Sequence, residues 1–231
     1  MSRADLPFVF VNIAITADGK LAPSDRHFVP FSSPADQERM LELRSQADAV
    51  MSGARTVDLG EVTLGPGGEK HRRQRLQAGR AEYNLRVIVS GAASIDPQAE
   101  IFKHRFSPIL LLTTERASKR RLKALAGKFD DLFVSPGPEL DFARALAWLR
   151  KQWKVNRLLC EGGGELNARL FREGLVDELH LTIAPVIFGG RTAPTLADGA
   201  GIDRLALARE ARLKHRELVG DEMYCIYRLA K

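Results

Sequence analysis

Three consecutive glycines follow an acidic residue at the end of a short apolar run. The segment reads Glu161-Gly162-Gly163-Gly164, and the run before it ends at Cys160. Glycine lets the backbone approach a ligand closely, and a helix start offers N–H groups and a positive dipole end to a phosphate. The pattern indicates a dinucleotide cradle. Its spacing departs from GxGxxG, so a tight strand-to-helix turn without a ligand remains the alternative.

A second strand end carries a basic residue and a hydroxyl. Arg55 and Thr56 come just after Gly53, where a short apolar run gives way to a helical segment. A guanidinium at a helix start suits a pyrophosphate or a ribose 2′-phosphate. Taken alone, the pair is typical of an ordinary helix entry with a solvated arginine.

The elements that must hold these residues alternate between strand and helix. Apolar, β-branched runs predict strands near residues 8–15, 49–52, 86–90, 109–113, 132–134, 157–160 and 177–184, with helices between several of them. This alternation predicts an α/β fold with a mostly parallel sheet flanked by helices. Two final strand-like runs, near 211–213 and 223–227, lack a helix between them and predict an antiparallel hairpin at one edge. No repeat or linker divides the chain, so we expect one domain over residues 1–231.

Composition narrows the class of protein. Hydrophobic residues make up 45% and charged residues 28% of 231 residues, as in ordinary globular proteins. The net charge of +6 suits anionic partners, but the basic runs have few interleaved aromatics, so we expect no nucleic acid as partner. No apolar run approaches the ~18 residues of a membrane span, and no signal peptide is expected.

The two cysteines, Cys160 and Cys225, belong to no CxxC pair and have no histidine cluster beside them. We therefore expect no metal site. Both lie in apolar runs, which predicts buried free thiols and fits a reducing cytoplasm.

Blocks along nearly the whole chain, about residues 8–227, resemble the reductase of riboflavin biosynthesis. The blocks are TADGK (16–20), ADAVMSGARTV (47–57), LCEGGGELN (159–167), EGLVDE (173–178) and APVIFGG (184–190). The resemblance implies a dihydrofolate-reductase-like fold, a homodimer formed through sheet edges, and NADPH-dependent reduction of a ribosylaminopyrimidine 5′-phosphate to its ribityl form. The PCxxC signature of the fused zinc deaminase is absent, which predicts a stand-alone reductase.

The resemblance also implies roles for individual residues. The expected cofactor-binding residues are Ala14, Thr56, Ser90, Gly162, Gly163, Gly164, Glu165 and Leu166, with Ala14 at the nicotinamide and Thr56 and Ser90 at the adenosine half. Arg55 is added as a candidate for the 2′-phosphate, because a guanidinium binds phosphate bidentately. The expected substrate-binding residues are Arg44, near the phosphate, Leu64 and Glu161. Glu161 or Asp18 is expected to handle the proton, although Asp18 is equally suited to opening a DG turn.

The segment 58–68 departs from the family pattern. Its paired acids are missing and Gly67 replaces the basic residue that helps to hold the sugar phosphate. A pterin reductase, a paralogue with a changed substrate and a non-catalytic NADPH-binding module therefore stay open. One hypothesis is that residues 65–68 form a backbone nest for the phosphate, assisted by Lys70 or Arg72. The alternative is a solvated, mobile basic loop.

Overall fold

The computed structural model describes residues 2–27, 30–60 and 62–230. The chain divides into two compact units, each built from two segments. The first unit comprises Met1–Phe8 and Leu41–Leu159, and the second comprises Val9–Met40 and Cys160–Lys231. A single domain over the whole chain stays a prediction.

Strands and helices alternate along most of the described chain. In order they are β1 (Phe8–Thr16), α1 (Pro34–Ser45), β2 (Ala49–Gly53), α2 (Ala54–Asp58), α3 (Glu69–Gln77), β3 (Leu85–Val89), β4 (Ile109–Thr114), α4 (Lys119–Ala124), β5 (Asp131–Ser135), α5 (Phe142–Gln152), β6 (Arg157–Cys160), α6 (Gly164–Arg172), β7 (Glu178–Ala184), β8 (Ala211–Val219) and β9 (Glu222–Leu229). Short 3₁₀ turns lie at Arg3–Asp5, Glu100–Phe102 and Leu205–Leu207.

The sheet of the first unit has the order β5-β4-β3-β2-β6. The pairs β2–β3, β3–β4 and β4–β5 are all parallel. Strand β4 is buried along its whole length, as expected for a strand covered on both faces. Asp141 caps the start of helix α5, because its carboxylate accepts a hydrogen bond from the amide of Arg144 at 2.9 Å.

The basic stretch after residue 68 forms a helix, α3. Lys70 and Arg72 are therefore part of a helix, whereas residues 65–68, for which the nest and the mobile loop were the two hypotheses, lie in the connection before it. Helix α3 carries two polar residues on its buried side, His71 and Arg75. The side chain of Arg75 is 1% exposed and donates to the carbonyl oxygens of Arg44, Ala47 and Ala81. The helix is thus fixed by buried polar contacts instead of an apolar stripe.

The sheet of the second unit has the order β1-β7-β9-β8. Strands β1 and β7 are parallel, whereas β9 runs antiparallel to both β7 and β8. The predicted mostly parallel sheet with an antiparallel C-terminal edge is confirmed. Both cysteines are free and buried, as predicted. No helix in the described part of the chain is long and apolar enough to cross a bilayer.

Candidate active site

The glycine turn of the second unit connects β6 to α6. Gly162 and Gly163 have φ angles of 55° and 109°, in the region that favours glycine. Gly163 is the N-cap of α6 and provides no side chain to cap the first amides of the helix. The turn therefore presents the positive end of a nine-residue helix without a side-chain cap.

Two of the three glycines are required by contacts within the protein. A Cβ on Gly162 would lie 2.6 Å from Nδ2 of Asn167. A Cβ on Gly164 would lie 2.5 Å from the carbonyl oxygen of Thr195 and would collide with the carboxylate of Asp198. The sequence-based argument assigned the glycines to the close approach of a ligand. For Gly162 and Gly164, the packing of the protein's own chain is already a sufficient reason.

A buried amide and a loop carboxylate support this turn. Asn167 is fully buried, donates to the carbonyl of Leu196 at 3.1 Å and accepts a hydrogen bond from the thiol of Cys160 at 3.7 Å. The amide of Asp198 donates to the carbonyl of Gly164 at 3.0 Å. The carboxylate of Asp198 in turn accepts hydrogen bonds from the amide and hydroxyl of Thr195 at 3.0 and 2.7 Å. The segment 195–198 therefore fixes the start of α6.

Asp18 joins two loops of the second unit. Its carboxylate accepts hydrogen bonds from the hydroxyl of Thr16 at 2.5 Å and from the amides of Phe188 and Gly189 at 3.2 and 2.7 Å. The hydrogen bond from Thr16 is the largest cause of a lowered pKa of Asp18. Desolvation, the next largest, raises the pKa, and the amides of Gly189 and Phe188 lower it further. A carboxyl with a lowered pKa is ionised near neutral pH and is a poor proton donor. This geometry favours the turn role of Asp18.

Of the other predicted residues of the second unit, Glu165 and Leu166 lie in the first turn of α6, exposed and buried respectively, and two lie near strand ends. Glu161 follows β6 directly and is half-buried. Ala14 is half-buried in β1, two residues before its end, and pairs with Thr182 of β7. Both lie toward the carboxyl ends of parallel strands, where ligands of open α/β sheets bind.

In the first unit, the structure brings the adenosine-side candidates together. Gly53, the last residue of β2, pairs with Val89, the last residue of β3. Arg55 and Thr56 follow the first of these strands, and Ser90 follows the second. Arg55 is exposed and Thr56 is half-buried. All three therefore lie at the carboxyl edge of this sheet.

Arg44 and Leu64 lie near each other at the amino edge of the same sheet, opposite to the carboxyl edge. Arg44 is 9% exposed and donates to the carbonyl of Gly65 at 2.9 Å. The carbonyl of Leu64 accepts a hydrogen bond at 2.8 Å from Asn84, which directly precedes β3. Leu64 has a φ of 56° with a fully buried side chain, an uncommon conformation for a bulky residue. The structure thus separates these substrate-side residues from Arg55, Thr56 and Ser90 by the length of the strands.

The glycine-rich segment near residue 65 is packed against aromatic rings. A Cβ on Gly65 would lie 2.7 Å from the ring of Phe106, which stacks on Tyr83 with ring centroids 5.1 Å apart. Arg72 donates to Glu82 at 2.9 Å and to the hydroxyl of Tyr83 at 2.7 Å. Arg72 is therefore engaged by the protein, which disfavours the hypothesis that it assists a phosphate nest. Glu61, in the same stretch, lies outside the described residues.

A family model described as the RibD C-terminal domain matches residues 7–224. This chain belongs to the RibD C-terminal domain family. The match confirms the resemblance that the sequence blocks indicated.

Relatives of this RibD-type chain cover almost all of it. A 2,5-diamino-6-ribosylamino-4(3H)-pyrimidinone 5′-phosphate reductase of Methanothermobacter thermautotrophicus is 33% identical over 96% of this chain and 97% of its own. A protein of the same name from Archaeoglobus fulgidus is 28% identical over 93% of this chain and 94% of its own. The crystal structure of a pyrimidine reductase-like protein of Corynebacterium diphtheriae superposes with a TM-score of 0.81 at 21% identity, covering 97% of this chain and 92% of that one. The fold is dihydrofolate-reductase-like, as predicted.

The sequence did not reveal the residues that support the RibD-type glycine turn. Asn167, Thr195 and Asp198 carry no local signal, because their roles depend on contacts with chain segments far away in sequence. Each unit by itself has groups that suit a phosphate. In the second unit this is a helix start without a side-chain cap. In the first unit it is the exposed guanidinium of Arg55 at a strand edge.

Proposed function

We propose that this chain reduces the ribosylamino side chain of a 2,5-diamino-6-ribosylaminopyrimidinone 5′-phosphate to the ribitylamino form, with NADPH as reductant. The observation that carries the proposal is the 33% identity, over 96% of the chain, to a reductase named for that substrate. The geometry of the glycine turn supports a nicotinamide dinucleotide as the cofactor.

In the second unit, residues 162–166 bind the pyrophosphate and the nicotinamide side of NADPH. The first backbone amides of α6 donate to the phosphates, and the positive end of the helix dipole faces them. Ala14 contacts the nicotinamide ring. Because Gly162 and Gly164 are packed against Asn167 and Asp198, the protein holds this turn in shape before the cofactor arrives, which limits the entropy lost on binding.

In the first unit, Thr56 and Ser90 contact the adenosine half, and Arg55 interacts with a phosphate. Arg44 and Leu64 stay substrate-binding candidates on the resemblance alone. Both are buried at the strand edge opposite to Arg55, Thr56 and Ser90, and Arg44 is bonded to the carbonyl of Gly65, so the geometry does not support them as phosphate ligands.

When bound, NADPH would supply a hydride for C1′ of the sugar; the bond from C1′ to the ring oxygen would break, and that oxygen would take up a proton to become a hydroxyl. The chain's own task is to orient the two reactants and to handle that proton. Glu161, a half-buried acid directly before the turn, donates or relays this proton. Asp18 holds the segment 186–190 in place.

The chain forms a homodimer through the hairpin of β8 and β9. Strand β8 is the edge of its sheet, and almost all of its residues are exposed. Leu213, Leu218 and Met223 share one face in the strand register and are 50%, 68% and 44% exposed. An unpaired edge with an apolar face needs cover, and a second copy provides it. Light scattering of Leu218→Glu would then report monomers, whereas a dimer that survives this change would contradict the interface.

The protein works in the cytoplasm. This proposal is supported by Cys160 and Cys225, which are both free thiols, as is usual in a reducing compartment.

The test is a steady-state assay of NADPH oxidation with the diaminoribosylaminopyrimidinone 5′-phosphate, in which mass spectrometry identifies a product that gained two hydrogen atoms. Dihydrofolate replaces the substrate in a parallel assay. Turnover of the pyrimidine alone supports the proposal. Turnover of dihydrofolate would favour a pterin reductase, and binding of NADPH without turnover of either compound would favour a non-catalytic module.

A further inference from the structure

The turn after β3 is tightly held. The amide of Ala93 donates to the carbonyl of Ser90 at 3.0 Å, and the amide of Ser94 donates to the hydroxyl of Ser90 at 2.9 Å. Ala93 is buried and has a φ of 50°. A non-glycine residue in this region persists only where its surroundings determine it, and such residues cluster at binding sites.

Two threonines of β4 anchor the same turn from the neighbouring strand. The hydroxyl of Thr113 donates to the carbonyl of Ser90 at 2.7 Å, and the hydroxyl of Thr114 donates to the carbonyl of Gly91 at 2.7 Å. The turn therefore has a fixed shape at the carboxyl edge of the sheet, and it directs the exposed hydroxyl of Ser94 outward.

A guanidinium from α4 is bound to this hydroxyl. Arg121 donates through Nη1 to Oγ of Ser94. In the described ranges, Arg121 forms no ion pair with a carboxylate, and its helix also carries Lys119 and Arg120. Two acids at this edge accept hydrogen bonds from loop amides, Asp58 from Asp96 at 3.1 Å and Asp96 from Gln98 at 2.8 Å. The positive charge of Arg121 is thus held beside the turn after β3 by the neutral hydroxyl of Ser94.

We propose that Arg121, oriented by Ser94, binds the 2′-phosphate of NADPH and selects NADPH over NADH. This inference rests on the proposed function, in which Ser90 contacts the adenosine half. A phosphate dianion gains charge-assisted hydrogen bonds from a guanidinium and a hydroxyl, whereas the 2′-hydroxyl of NADH gains little. Strand β3 lies between β2 and β4, so Arg55 and Arg121 flank the turn from opposite sides.

The experiment compares kcat/KM for NADPH and for NADH in the wild type and in Arg121→Ala. Loss of a charged hydrogen bond predicts a roughly ten- to hundredfold lower kcat/KM with NADPH, with NADH changed by less than about twofold. Arg120→Ala is the matched control, because it removes an exposed arginine one position earlier on the same helix. Its selectivity stays at the wild-type value. Equal losses with both cofactors, no loss at all, or a shift in selectivity only in Arg55→Ala would overturn the inference.

A binding measurement separates this inference from the proposed function. Calorimetry gives the Kd of adenosine 2′,5′-bisphosphate and of 5′-AMP for the same variants. We expect the wild type to prefer the bisphosphate and Arg121→Ala to lose that preference. If the wild type shows this preference but does not reduce the pyrimidine, the reaction is wrong and the phosphate site stands. If it reduces the pyrimidine and binds the two nucleotides equally well, the reaction stands and the phosphate site is wrong.

Discussion

The amide of Asp198 donates a hydrogen bond to the carbonyl of Gly164 at 3.0 Å, and the carboxylate of Asp198 fills the space beside the α-carbon of that glycine. A methyl group on Gly164 therefore has no room. We expect Gly164→Ala to lower the free energy of unfolding by roughly 1–3 kcal/mol, as overpacking usually does, and to weaken NADPH binding because the first turn of α6 must shift.

Chemical denaturation and fluorescence titration with NADPH measure these two effects. Gly68→Ala is the control, since Gly68 has a φ of −72° and open space around its α-carbon. A Gly164→Ala variant as stable and as tight in NADPH binding as Gly68→Ala would show that the segment 195–198 does not constrain the turn.

The sequence predicted the elements whose burial follows a regular apolar pattern. Strand β4 and helices α5 and α6 are of this kind. Helix α3 was missed because its nine residues, EKHRRQRLQ, include a single apolar side chain. Its buried anchor is Arg75, whose partners are backbone carbonyls that no periodicity reveals.

The candidate site divides in the same way. The glycine turn was visible because its residues are consecutive. The roles of Asn167 and Asp198 depend on tertiary contacts, and so does the left-handed conformation of Leu64. The two readings of Asp18, which the sequence left equal, separate only when Thr16 and Gly189 are seen to donate to its carboxylate.

Glu161 is the acid we expect to handle the proton. Glu161→Gln keeps the size of the side chain and removes its exchangeable acid, so kcat falls by roughly 10²–10⁴-fold if general acid catalysis is lost. The Kd for NADPH changes little. Single-turnover kinetics with NADPH already bound measure this step directly. A variant that keeps wild-type kcat would exclude Glu161 from proton transfer.

Asp18 has a lowered pKa in the folded protein, mainly because of the hydrogen bond from Thr16. The stability that this carboxylate contributes is therefore present above its unfolded pKa of 3.8 and is lost as the pH falls through the lower folded value. We expect Asp18→Asn to be less stable than the wild type at pH 6 and the difference to shrink below about pH 4. Urea unfolding at several pH values measures it. Near neutral pH, we expect the dependence of kcat on pH to keep its shape in Asp18→Asn. If this variant lost one limb of the pH profile, Asp18 would be the residue that transfers the proton.

Arg75 closes the end of α1 by donating to the carbonyls of Arg44 and Ala47. Its pKa is lowered to about 10 by burial. Arg75→Met leaves buried carbonyls without donors, which predicts a loss on the order of 3–5 kcal/mol in the free energy of unfolding. Arg73→Met is the control on the same helix, because Arg73 is exposed and its pair with Glu69 contributes about 0.3–0.5 kcal/mol. Similar unfolding midpoints for the two variants would contradict the role of Arg75.

His180 is buried in β7 beside Glu178, with Nε2 3.6 Å from the carboxylate. Burial lowers the pKa of His180 from 6.5 to about 4, against the smaller raising effect of Glu178. Between these two values the unfolded chain binds a proton that the folded chain does not, so stability falls as the pH drops from 6.5 to 4. The loss from this one group amounts to roughly 3 kcal/mol at most.

We expect His180→Gln to flatten the dependence of the unfolding free energy on pH between 7 and 4. His215→Gln serves as the control, because His215 is about half exposed on β8 and faces Glu217 at 3.9 Å. An NMR titration of the ring resonances identifies the group directly. A His180 ring with a pKa above 6.5 would show that the pair with Glu178 outweighs burial. The free energy of unfolding would then fall as the pH is raised through that pKa.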